Sequence, residues 1–251
     1  MARALGTRSK FLLAYLLLAA AVGTAVGAFV VIARNPAPKP PPAWSSWRPG
    51  SSALQTQVLE IADHVGSQYH QPSGDPLTAV KLYPQGSDLR AIGIPTVAQP
   101  KTLSDFKLYD RSSSVIYILC GLGKHCRINQ GKATTARGTV LRREALELAL
   151  YTMEYAHPID NVLVFFPPAP GQKTLSRTLF FHRSDLESHL KHPLRTTLPQ
   201  SQAPLPGKIR PAEKQIVDEL TRPTFYLYVR TVGVQGYGSM VVLEPPSTGS
   251  S

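Results

Sequence analysis

Cys120 and Cys126 enclose Gly121-Leu122-Gly123-Lys124-His125 and are the only two cysteines among 251 residues. A thiolate next to an imidazole suits nucleophilic catalysis, and Cys with His is a zinc donor set. The spacing is not Cys-x-x-Cys, however, and a Cys with an adjacent His is a weak metal signature. In an oxidising compartment, two cysteines six positions apart are expected to close a local disulfide around that loop. The glycines allow so short a loop to turn.

His182, His189 and His192, with Asp185 between them, suggest zinc if they share a helix face. Ser184 followed by Glu187 reads as a capping box, which starts the helix at Ser184 and leaves His182 on the preceding strand. His64, His157 and His192 fall at expected helix C-termini, where the macrodipole favours a partly charged imidazole with no catalytic role. Glu154-x-x-His157 is half of a di-iron motif, but no further carboxylates complete it. Ser104-x-x-Lys107 and Ser188-x-x-Lys191 match a penicillin-binding pattern at the level of chance, without its Ser-Asp-Asn or Lys-Thr-Gly partners. No catalytic set is legible, and no metal or other cofactor is called for. The alternative reading is a hydrolase or metal-dependent enzyme using Cys120, His125, Cys126, His182 or His189.

From Arg111 to Arg143 the chain carries Arg111, Lys124, Arg127, Lys132, Arg137, Arg142 and Arg143 and no acidic residue. Gly121, Gly123, Gly131 and Gly138 lie within the same stretch, so cations and backbone amides are expected to form an anion-binding or partner-facing surface. Gly131-Lys132 is not a Walker A loop. A basic balance argues for association with anionic lipid, an envelope polymer or a protein partner, and not for a particular fold.

These groups must be placed by a chain whose first fifth is unusual. Phe11 to Ile32 contains no Asp, Glu, Lys or Arg. As a helix it would cross a bilayer, so residues 11–33 are expected to be an uncleaved transmembrane signal anchor. Arg3, Arg8 and Lys10 put residues 1–10 in the cytoplasm by the positive-inside rule, with the rest exported; nucleic acid is thereby excluded as a partner. Ala19, Gly23 and Gly27 recur every four residues and offer a seam for weak self-association, although such residues are also common in membrane helices for other reasons. Residues 34–53 are proline-rich and read as an extended linker. Trp44 and Trp47 fall within it, to rest at a lipid interface or to dock on the domain.

Residues 54–244 read as one exported domain, and 245–251 as a disordered tail. Leu54, Val58, Ile61 and Val65 keep helical spacing up to Gly66, and Val140 to Ala156 is the longest expected helix. Shorter helices are expected from Ser184 and over Ala212 to Leu220, the latter with Pro211 in its first turn. Strands are expected over 77–83, 91–97, 115–120, 161–166 and 177–182, with a closing hairpin over 224–232 and 237–243. The order is not a regular βαβ alternation, so the fold class is α+β with a mixed or antiparallel sheet and packed helices. The function expected from this combination is a membrane-anchored binding or assembly module at the outer face of the cytoplasmic membrane.

Overall fold

The structure is a computed structural model that describes residues 11–12, 14–24, 43–84, 88–129, 131–172, 174–175, 177–222, 225–234 and 238–245, apart from the side chains of 225 and 227–234. The chain divides into two units, Met1–Pro42 and Ala43–Ser251.

In the first unit, helix α1 is described at residues 11, 12 and 14–24, all exposed. No helix among the described residues is long and apolar enough to cross a membrane. This corrects the expectation of a single-pass anchor over residues 11–33. Apolar composition is a property of the run, whereas a span also needs helical length. Ala19 and Gly23 lie on α1, and a Cβ at Gly23 would meet nothing within 4 Å. Gly27, residues 1–10 and 34–42, and the tail 246–251 lie outside the described residues.

The second unit is α+β with one mixed eight-stranded sheet. Its helices are α2 (Leu54–Gly66), α3 (Thr135–Tyr155), α4 (Arg183–Leu190), α5 (Leu194–Thr197) and α6 (Pro211–Thr221). Its strands are β1 (Ala79–Leu82), β2 (Leu89–Pro95), β3 (Phe106–Asp110), β4 (Ser114–Cys120), β5 (Asn161–Phe165), β6 (Arg177–His182), β7 (Phe225–Val234) and β8 (Gly238–Glu244). In space they run β1-β4-β5-β6-β7-β8-β2-β3. The β4–β5 and β8–β2 pairs are parallel and all the others antiparallel.

Helix α3 starts five residues earlier than apolar periodicity indicates. Thr134 caps it, its hydroxyl accepting from the Arg137 amide at 3.2 Å, and the turn it opens, Thr135 to Thr139, is too polar to show a hydrophobic stripe. Helix α4 starts at Arg183 with His182 as its N-cap and no side-chain cap bond. The expected capping box is absent because both of its members are engaged elsewhere. Ser184 donates to Asp185, and Glu187 pairs with Lys191 at 2.7 Å.

Alternate residues of the central strands face two different cores, as a pleated sheet requires. Val115, Tyr117, Leu119, Val162, Val164, Leu179 and Phe181 meet α2, α3 and α6. Ile116, Leu163, Phe165 and Phe180 point the other way, to Leu89, Ile92, Val241 and Leu243. Tyr109 on edge strand β3 lies 4.6 Å from Phe180 on β6, centroid to centroid. Four strand spacings separate these strands in the sheet order, about 19 Å if the sheet were flat. The sheet therefore curls over on itself, and its second face is closed by its own outer strands.

Candidate functional site

The Cys120–Cys126 pair is a disulfide with the Cα atoms 4.3 Å apart. Its loop is tightly wound: Leu122, His125 and Cys126 all take positive φ. A Cβ on Gly121 would lie 2.6 Å from the Arg127 carbonyl oxygen, so only glycine fits there. The Gly121 amide donates to the Cys126 carbonyl at 2.9 Å, and the Asn129 amide returns to the Gly121 carbonyl at 3.0 Å. Both sulfurs are consumed in this bond, and His125 is exposed at the rim of the loop.

The remaining histidines do not join that loop. His182 Nδ1 lies 2.8 Å from Asn161 Oδ1, and His189 Nδ1 lies 3.0 Å from Thr197 Oγ1. Burial lowers the His189 pKa, with His192 adding to the effect. Among the described residues no group of three His, Cys, Asp or Glu side chains converges as a metal site.

The structure divides the basic set into four environments. Arg143 is fully buried: Nε meets Glu213 at 2.5 Å, Nη1 meets Glu147 at 2.8 Å and also donates to the Tyr69 hydroxyl, and Nη2 donates to the Gln200 carbonyl at 2.9 Å. Burial opposes its charge, but Tyr69, Glu147 and Glu213 together hold its pKa above the ordinary arginine value. This is an interior strut joining α3 to α6, with no surface to offer a partner. Lys124 and Lys132 are exposed, and Arg127 folds back to the Lys124 carbonyl at 3.1 Å. Arg111 stands apart, lining a cavity of about 300 Å³ beside Leu54, Tyr83 and Ile159. There it donates to the Ser114 carbonyl at 2.5 Å, and burial lowers its pKa.

Arg137 and Arg142, one helical turn and a half apart on α3, line the cavity that best fits a site. Its volume is about 410 Å³. One wall is the first two turns of α3, from Thr134 to Arg142; the facing wall is Phe166-Pro167-Pro168-Ala169, with Ile128, Gln172 and Arg177 between them. The Ile128 amide donates to the Pro168 carbonyl at 3.3 Å, which ties the residues just after the disulfide loop to that facing wall. Arg142 donates to Asp218 at 2.6 Å and Thr221 at 3.0 Å. Arg137 is buried and donates to the Leu77 carbonyl at 3.1 Å and the Gln71 carboxamide at 3.3 Å. Burial presses its pKa below the usual arginine range. Arg177 opens β6 and is exposed.

Arg177 is the site residue that sequence reading misses. It lies outside the acid-free run, and only the β5–β6 pairing carries it to α3. The chain matches no family model, no curated protein and no solved structure.

Proposed function

We propose that the folded unit is a binding or assembly module that works outside the cytoplasm, with the 410 Å³ cavity between α3 and residues 166–169 as its ligand seat. The cavity carries this reading. Its volume falls within the about 300–1,000 Å³ typical of small-molecule sites, and it combines apolar walls with a few directed polar groups. Its walls belong to a rigid helix and to a proline-rich segment running out of β5, so the seat is formed before a ligand arrives. The Cys120–Cys126 bond supports an oxidising compartment, where such bonds persist.

The test is hydrogen exchange on the full chain, alone and with millimolar organic acids, amino acids and sugar phosphates. Slowed exchange at Ile128, Ala169 and the first turn of α3 with one class of compound is the expected result. Ligands that protect only other surfaces, or none at all, would remove the cavity from consideration.

A further inference from the structure

The cavity of about 300 Å³ that holds Arg111 shares no lining residue with the one beside α3. It lies where the two cores meet: Val58 and Ile159 of the helical core and Leu89 and Ile116 of the other core all line it. Arg111 is the one charged side chain among its described lining residues. Half-buried there, it donates through Nη1 to the Ser114 carbonyl, and its Nε–Nη2 edge meets no acceptor among the described residues. All 16 acidic residues of the chain are described, and none forms an ion pair with Arg111. Asp110, next to it in sequence, is exposed and turns Oδ1 to the Ser112 amide and hydroxyl, at 2.6 Å each. Burial lowers the Arg111 pKa, and among the described residues only Tyr83 opposes that shift, a phenol that is neutral at pH 7. A cation withdrawn from water without an answering charge is costly, and an anion brought to it offsets that cost.

We infer that this cavity is a second binding site, which takes a small aliphatic carboxylate, its head on the Nε–Nη2 edge of Arg111 and its chain against Val58, Leu89, Ile116 and Ile159. The inference goes beyond the seat beside α3 and stands or falls without it. That edge presents two parallel N–H donors, which a carboxylate accepts in bidentate fashion. One cation in apolar walls answers one negative charge, as a carboxylate carries, whereas a phosphate monoester carries about 1.5 to 2. A cavity of about 150 Å³ holds benzene, so about twice that volume admits a chain of about six carbons with its head. A neutral alcohol of the same length would leave the guanidinium unanswered. A purely inorganic anion would leave the apolar walls uncovered.

The experiment is calorimetric titration of the full chain with hexanol, butanoate, hexanoate and hexyl phosphate, on the wild type, Arg111→Gln, Leu54→Trp and Arg177→Gln, with hydrogen exchange to locate the bound probe. Hexanoate is expected to bind about tenfold more tightly than hexanol and than butanoate, which has two fewer methylenes, and more tightly than hexyl phosphate, with slowed exchange around Tyr83 and Arg111. Its affinity should fall as salt is raised and about tenfold in Arg111→Gln, the loss of one charged contact. It should fall also in Leu54→Trp, whose larger side chain fills the cavity with Arg111 intact, and stay unchanged in Arg177→Gln, which alters the other cavity. Because Arg111→Gln also releases the Ser114 carbonyl, Leu54→Trp carries the test if the first variant does not fold. Hexyl phosphate binding more tightly than hexanoate would overturn the carboxylate assignment. Hexanol matching hexanoate, hexanoate affinity unmoved by Arg111→Gln or Leu54→Trp, or no protection around Tyr83 and Arg111 would overturn the site. Hexanoate that protects only the first turn of α3 and weakens in Arg177→Gln would support the seat beside α3 and remove this one.

Discussion

Trp47 lies flat on His64, with ring centroids 3.9 Å apart and planes 4° from parallel. Trp44 meets Tyr151 and Tyr155 edge-on at 5.4 and 5.7 Å, and Ser45 lies within hydrogen-bond distance of the Tyr155 hydroxyl at 3.1 Å. Within the segment that reads as linker, folded contacts are thus made from Trp44 onward, with the two tryptophans packed on α2 and α3. Trp47→Ala should cost about 2 kcal/mol through lost stacking and buried area. Urea denaturation of the full chain would measure it, and an unchanged midpoint would show that the segment is not held.

The same stack predicts a pH effect. Burial lowers the His64 pKa, so the folded state favours the neutral ring. As pH falls below about 6.5 the unfolded chain takes up the proton first, and stability declines until the folded ring also titrates. His64→Phe should flatten the fall between pH 7.5 and 5.5, read as the difference between variant and wild-type midpoints. Equal slopes in the two proteins would exclude His64 as its origin.

Glu144 pulls in the opposite direction. Burial raises its pKa to about 8; Thr78 donates to Oε1 at 2.6 Å, and Oε2 has no partner among the described residues. The folded state keeps the proton from about pH 4.5 to about 8 while the unfolded chain loses it, so this residue's contribution to stability drains away as pH rises through that window. Glu144→Gln keeps an acceptor for Thr78 and carries no charge. It should be more stable than the wild type at pH 8 and similar at pH 4.5. A variant that is less stable at both pH values would contradict a neutral Glu144.

Arg143 answers both Glu147 and Glu213 in the interior. Arg143→Met should cost about 3–5 kcal/mol, because two buried carboxylates are left without their cation. Adding Glu147→Leu and Glu213→Leu should recover much of that loss. Chemical denaturation of the single and triple variants makes the comparison; a triple variant no better than the single one would show that the strut does more than neutralise charge.

Replacing Cys120 and Cys126 together by Ser should cost about 2 kcal/mol on the chain-entropy model for so short a loop. Denaturation of the wild type under reducing conditions should give the same loss. A reduced wild type as stable as the oxidised protein would mean that the surrounding backbone bonds hold the loop alone.

Features that depend on near neighbours in the chain are legible without the fold. The apolar run of β4, the helical spacing of Val58, Ile61 and Val65, Pro211 in the first turn of α6 and the short Cys120–Cys126 separation are all local features. The α+β class follows from the order of such elements, which leaves the sheet mixed or antiparallel; the parallel β4–β5 and β8–β2 pairs make it mixed. Residues 11–32 mislead because uniform apolarity is also local, whereas no helix among the described residues is both long and apolar enough to cross a membrane. Which distant groups meet emerges from the packing of the folded chain. Arg142 and Arg143 are adjacent in sequence, yet one lines a cavity while the other is a buried strut, since neighbouring helical positions point about 100° apart and α6 supplies both carboxylates, Asp218 and Glu213. Tyr109 reaches Phe180 because the sheet curls, and Arg177 reaches the α3 cavity because β6 pairs with β5. Such meetings depend on long-range packing, which no window of a few residues encodes.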